Sequence, residues 1–148
     1  MPPIEIVAHR GASRERPENT GAAFQRALEL GADGVELDVH LSADGTLFVH
    51  HDSVPHDVPN AALANLDIRS LTAEQLRAFR VRGEPIPTLE QVIRIVAGRI
   101  TVYCELKGAD TAGPAVKLLG PLGPRAAVHS FDHRQIAVAR RIAPAVPR

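Results

Sequence analysis

Strand-patterned and helix-patterned segments alternate along this 148-residue chain. That alternation predicts an α/β fold on a mainly parallel sheet covered by helices. The distribution of charge narrows the choice. Tyr103, Glu105 and Lys107 share one strand face, while Val102, Cys104 and Leu106 share the other. A doubly wound sheet meets helices on both faces and is apolar on both. A barrel strand has one face toward helices and one toward a lumen, whose C-terminal mouth carries the site. Glu36, Asp38 and Glu105 all fit such a mouth, so the expected fold is a TIM-type (β/α) barrel with a β-hairpin that carries site residues.

Taken in order, Ile4 to His9 reads as a first strand. Asn19 or Thr20 caps a helix whose Phe24, Ala27 and Leu28 share a face, and Gly31 closes it. Val35, Leu37 and Val39 alternate with Glu36, Asp38 and His40, the period-two pattern of a strand with two different faces. Ser42-Ala43-Asp44-Gly45 is a turn, and Leu47-Phe48-Val49 the returning strand. A loop rich in proline, asparagine and aspartate runs from Asp52 to about Asn65. Thr72-Ala73-Glu74-Gln75 and Thr88-Leu89-Glu90-Gln91 are capping boxes that open two helices. Leu76 and Phe79 mark the first helix, and Leu89, Val92, Ile93 and Val96 form the apolar stripe of the second. Ile100 to Leu106 is a strand, Ala112 to Leu119 a helix, and Ala126 to Phe131 another strand. Asp132 caps a last helix that fades at Pro144.

Seventeen basic residues balance seventeen acidic ones, which leaves no basic field for nucleic acid or an anionic membrane. The single cysteine, Cys104, cannot form an internal disulfide and fits a reducing cytoplasm. No apolar run approaches membrane-span length. Met1-Pro2-Pro3-Ile4 lacks a secretory signal pattern.

The chemistry lies in two histidines and the carboxylates between them. His9-Arg10 ends the first strand, Glu36 and Asp38 stand two apart on one strand face, and His51-Asp52 follows the hairpin. Histidine gives and takes protons near neutral pH, and paired carboxylates seat a hard divalent cation. Together they imply metal-assisted acid–base hydrolysis of a phosphate ester. With the turn centred between Ala43 and Asp44, position 36 faces position 51, about 5 Å apart at the Cβ atoms. A slip of one residue would turn His50 inward instead. The other histidines take plainer readings: His50 as packing, His40 as a solvated hairpin residue, and His56, His129 and His133 as structural or exposed. Glu18 reads first as part of a helix entry, Asp44 as a turn residue, Cys104 as core, and Lys107 also as an ion-pair partner of Glu105.

These residues fall within an ordered set of words: Ala8-His9-Arg10-Gly11, Pro17-Glu18-Asn19-Thr20, Gly31-Ala32-Asp33-Gly34-Val35-Glu36-Leu37-Asp38-Val39 and Val49-His50-His51-Asp52. Ile86-Pro87-Thr88-Leu89-Glu90, Glu105-Leu106-Lys107 and Ser130-Phe131-Asp132 complete the set. In this the chain resembles the glycerophosphodiester phosphodiesterase family. The resemblance implies a barrel hydrolase of lipid metabolism that cleaves glycerophosphodiesters to an alcohol and glycerol 3-phosphate. His9 and His51 would be its catalytic pair. Glu36, Asp38 and Glu105 would hold Ca2+ or Mg2+, and Arg10 and Lys107 would bind substrate near the phosphate.

The motifs account for about five of the eight strands that a closed barrel requires. The chain contains no tryptophan, and the strands and aromatic-bearing segment that close the family's barrel are absent. The expectation is therefore a single domain over residues 1–148, an incomplete barrel open at its C-terminal end. Exposed edges would favour self-association, and the tail from Ala143 to Arg148 offers nothing to cover the gap. Two rival functions stand beside the first: a phospholipase D-type enzyme on lysolipids or sphingolipids, and a non-catalytic barrel fragment. No amphipathic interface helix is evident, which favours soluble substrates.

Overall fold

A computed structural model describes residues 4–148. Met1, Pro2 and Pro3, part of the segment without a secretory signal pattern, lie outside the described residues. Strand β1 (Val7–His9) leads through the turn-rich segment 10–20 to α1 (Gly21–Glu29), and then come β2 (Gly34–Leu41) and the short β3 (Leu47–Val49). Helix α2 (Ala73–Leu76) precedes a small hairpin of β4 (Arg80–Val81) and β5 (Glu84–Pro85) that the sequence pattern does not announce. The chain closes with α3 (Leu89–Val96), β6 (Thr101–Leu106), α4 (Ala112–Leu119), β7 (Ala126–His129) and α5 (His133–Ile142).

The main sheet has five strands in the order β1-β2-β6-β7, with β3 also on β2. All pairings are parallel except β2 with β3. The expected α/β architecture with a mostly parallel sheet is present, and among the described residues no closed barrel forms. One pairing detail governs the site. β1 takes Gly34 to Glu36 of β2, and β3 takes Val39 to Leu41. β6 pairs β2 throughout Gly34–Val39. The two short strands therefore lie end to end along one edge of β2 and meet beside Glu36 and Asp38.

Val35, Leu37 and Val39 are fully buried against the helices, together with Phe24, Val92, Val102, Cys104 and Val128. A buried aliphatic or aromatic side chain contributes about 1.5–3 kcal/mol of transfer free energy, so this helix-facing side holds β2 rigidly. Phe48 belongs to a second core with Ile68, Leu71, Leu76, Phe79 and Ile86. Both capping boxes form, at Thr72 with Gln75 and at Thr88 with Gln91. Thr20, rather than Asn19, caps α1.

Two expectations are corrected. The hairpin pairs Val39 with Val49 and His40 with Phe48, one residue off the register that would set Glu36 against His51. Its loop holds three residues rather than two. Ser42 and Thr46 pair across it (N···O 2.9 Å), and Gly45 adopts a left-handed φ of 84°, the form in which a turn is followed by one αL residue. The tail is the second correction. Val146 is buried, and Pro147 accepts a hydrogen bond from the Val128 amide at 2.8 Å, so the segment after α5 folds back onto β7.

Candidate active site

The polar face of the sheet carries two cross-strand rows. His9, Glu36 and Tyr103 are in register in one row, and Asp38, Glu105 and His129 in the next. Single oxygens from Glu36, Asp38 and Glu105 all lie within 4.8 Å of one another. The period-two pattern of β2 and β6, read at matching register, is what brings the three carboxylates together.

Two cations flank them. Arg10 Nε is 3.4 Å from Asp38 Oδ2, and its Nη1 reaches Glu18 at 3.1 Å. Lys107 Nζ lies 3.4 Å from Glu105 and 3.7 Å from Asp38 Oδ1. The Arg10 backbone sits at φ 57° and donates to the Glu36 carbonyl at 2.9 Å. Gly11 follows at φ 78°, packed so tightly on α1 that a Cβ there would lie 2.8 Å from Ala23. Only glycine fits that turn, which sends the arginine back over the carboxylates.

Three carboxylates against two cations leave an excess of negative charge. Burial, reinforced by the charge of Asp38, pushes the Glu36 carboxyl up from 4.5 to about 7. Asp38 Oδ1 is buried with no hydrogen-bond donor. A raised carboxyl and an orphaned oxygen beside two further carboxylates suit an oxygen-seeking divalent ion, and the residues present fit one.

His9 Nε2 is 3.7 Å from Glu36, and the ring is largely solvent-exposed. His51 Nδ1 donates to Asp52 Oδ1 at 2.8 Å, which leaves Nε2 free. The other Asp52 oxygen meets His56 Nε2 at 2.9 Å. Hydrogen bonds from His56 and His51 hold the Asp52 carboxyl below its usual range. His51, Asp52 and His56 border a cavity of about 260 Å³ together with Glu18 and Arg82.

The shifted register also relocates His50 and His40. The His50 amide donates to the Asp38 carbonyl at 3.0 Å, so His50 stands opposite Asp38 rather than on the helix-facing side. Burial lowers its ring to about 4, and Nε2 has no partner. His40 is not a solvated hairpin residue: it is buried, and burial lowers its pKa.

Three further residues join the site. His129 Nε2 lies 3.8 Å from Glu36; its signal was its place at the C-terminal end of a strand, on the face of Ala127 rather than of Val128. Asn19, fully buried at φ 56°, donates through its amide to Asp38 Oδ2 at 2.9 Å. Glu18 holds Arg10. The Pro17-Glu18-Asn19-Thr20 word thus serves helix entry and site at once.

This mostly parallel α/β sheet carries histidines at its strand ends and a carboxylate cluster whose oxygens lie close enough together to share a hard cation. Residues 9–148 match the model of the Glycerophosphoryl diester phosphodiesterase family, and the chain belongs to that family. It is 34% identical over 155 residues to a glycerophosphodiester phosphodiesterase of Caldanaerobacter subterraneus subsp. tengcongensis, covering 94% of this chain and 63% of that protein. Among solved structures, a glycerophosphodiester phosphodiesterase from Agrobacterium tumefaciens superposes with a TM-score of 0.84 at 34% identity. That match covers 96% of this chain and 64% of the other. An Oleispira antarctica phosphodiesterase in complex with the product sn-glycerol-3-phosphate gives a TM-score of 0.83 at 27% identity, over 97% and 64%. The chain thus spans less than two thirds of the length of these relatives. Among the described residues, no helix is long and apolar enough to cross a membrane.

Proposed function

We propose that this chain carries the active centre of a divalent-cation-dependent phosphodiesterase that cleaves glycerophosphodiesters to an alcohol and glycerol 3-phosphate. The observation that carries the proposal is the carboxylate triad, with ligand oxygens within 4.8 Å, flanked by Arg10 and Lys107 and with His9 Nε2 3.7 Å from Glu36. Membership of the family, and the glycerol 3-phosphate bound by the Oleispira antarctica relative, favour the substrate class.

Glu36, Asp38 and Glu105 would hold Ca2+ or Mg2+, which when bound neutralises the phosphate oxygens that repel a nucleophile. The Arg10 guanidinium presents a planar fork to two phosphate oxygens, and Lys107 adds a point charge on the opposite flank. The histidines move the protons. One imidazole takes a proton from the attacking oxygen, of water or of the substrate's own glycerol hydroxyl, and the other returns one to the departing alcohol oxygen; in the second case water then opens the cyclic phosphate to glycerol 3-phosphate. His51 is prepared for this, because Asp52 fixes the Nδ1 proton and leaves the Nε2 lone pair for exchange. Glu18 and Asn19 act behind these groups by orienting Arg10 and Asp38.

Glycerophosphocholine and glycerophosphoethanolamine, supplied with Ca2+ or Mg2+, should release glycerol 3-phosphate, and a chelator should stop the reaction. Folded protein that is inert on a panel of glycerophosphodiesters with both ions refutes the proposal.

In the same reading, the sheet is the part of a (β/α) barrel that bears the carboxylates, open after β7. The tail covers part of β7's outer edge, so β1 is the freer one, with Ile4, Ile6 and Val7 exposed. Self-association through β1 would cover that edge. Sedimentation showing only monomer at every concentration removes this part of the reading.

A further inference from the structure

The ladder between β2 and β3 runs from Leu41–Leu47 through His40–Phe48 to Val39–Val49, and the His50 amide extends it onto the Asp38 carbonyl. There the chain leaves the sheet. Among the described residues the next carbonyl, that of His51, accepts no backbone hydrogen bond. A side chain from β2 meets it instead: His40 Nε2 lies 3.0 Å from His51 O. A carbonyl oxygen only accepts, so Nε2 carries the proton and donates.

We propose that His40 is a positioning residue for His51, pinning its backbone where the chain departs from the sheet. The inference rests on the reading of His51 as a proton-transfer group. His40 is well placed for the task. It is 8% exposed, and it sits two residues beyond Asp38 on the strand that carries two of the three carboxylates. Its ring therefore ties the histidine to the same rigid element that would hold the cation. Asp52 fixes the His51 ring at Nδ1, and His40 fixes the main chain beneath it. With both ties the imidazole has a defined place and direction. Without the second, the main chain at His51 itself is untied, held before by the Val49–His50 link to β2 and after by Ser53, whose carbonyl accepts from the Ile68 amide at 2.8 Å.

Three variants separate positioning from space filling. His40→Gln keeps a donor that reaches about as far as Nε2. His40→Leu fills the space without a donor, and His40→Asn keeps a donor that falls short of the carbonyl. Turnover of glycerophosphocholine and the ring resonances of His51 are measured for each. His40→Leu and His40→Asn should lower kcat by roughly 10–100-fold, the order expected for a displaced catalytic group. KM should stay within about threefold and the His51 resonances should move. His40→Gln should restore both readouts to near wild type. Wild-type kcat with unmoved resonances in either donor-deficient variant overturns the inference, and so does His40→Gln as impaired as the others. If His40→Leu fails to fold, His40→Asn against His40→Gln makes the same comparison. If wild-type protein turns over no glycerophosphodiester, the proposed function fails, and the His51 resonances alone decide the positioning role.

Discussion

Replacing Glu36 by glutamine should stabilise the metal-free protein at alkaline pH and leave it nearly unchanged in acid. The Glu36 carboxyl is moved from 4.5 to about 7 by burial and by its neighbour Asp38, and its side chain is only 13% exposed, so solvent screens it little. At about 1.4 kcal/mol per tenfold change, ionising it in the folded state costs roughly 3 kcal/mol relative to the unfolded chain. The folded state holds this proton more tightly than the unfolded one. The associated stability is complete below about 4.5 and is lost as the pH rises through about 7. Glutamine mimics the protonated carboxyl at every pH. Urea unfolding with a chelator present should therefore give Glu36→Gln an advantage of about 3 kcal/mol at pH near 8.5, and of less than about 1 kcal/mol at pH near 5. Millimolar Ca2+ or Mg2+ should invert the order at high pH, because ligation stabilises only the protein that binds. A variant with no advantage at high pH, or with an equal one at both, refutes the argument that crowded, buried carboxylates wait for a cation.

His9→Ala and His51→Ala should each lower turnover by roughly 10²–10⁴, the usual loss when a general acid or base is removed. His50→Ala, which deletes a half-buried ring kept neutral by its surroundings, should cost less than about tenfold; steady-state kinetics on one glycerophosphodiester decides, and equal losses at all three positions would be the wrong outcome. Asn19→Ala removes a buried hydrogen bond to an ionised carboxylate and should destabilise the fold by about 1.5–3 kcal/mol. It should also weaken Ca2+ binding in a calorimetric titration. Unchanged cation affinity would mean that Asn19 does not orient Asp38.

Much of this site was legible because strands impose a period of two. The alternation of Val35, Leu37 and Val39 with Glu36 and Asp38, and that of Cys104 with Glu105, fixed which side chains face the centre. The fold class followed from the same asymmetry of faces. What escaped depended on single residues of loop geometry. Ser42-Ala43-Asp44-Gly45 marks a turn, but its length is set by Gly45 taking the left-handed conformation, and one residue there reassigns His50 and His40. His129 was missed because it lies in no motif, and only the register of β7 on β6 brings it beside Glu36. Asn19 and Thr20 both suit a helix cap, and nothing local separates them, because the Asn19 contact with Asp38 lies far along the chain. The fold-back of Val146 onto the core depends on Pro147 finding β7, which no local pattern encodes.

The seam where β1 and β3 abut along β2 divides the labour of the site between two kinds of support. Glu36, Asp38 and Glu105 ride on the two longest strands, whose opposite faces are locked in the core. His9 and His51 hang from three-residue strands that each grip half of one edge. A residue gained or lost in the hairpin loop would swing His51 without disturbing any carboxylate, and a change before Gly11 would move His9 and leave His51 in place. If His9 and His51 move protons as proposed, their placement can change separately, while the carboxylates that would hold the cation stay as they are.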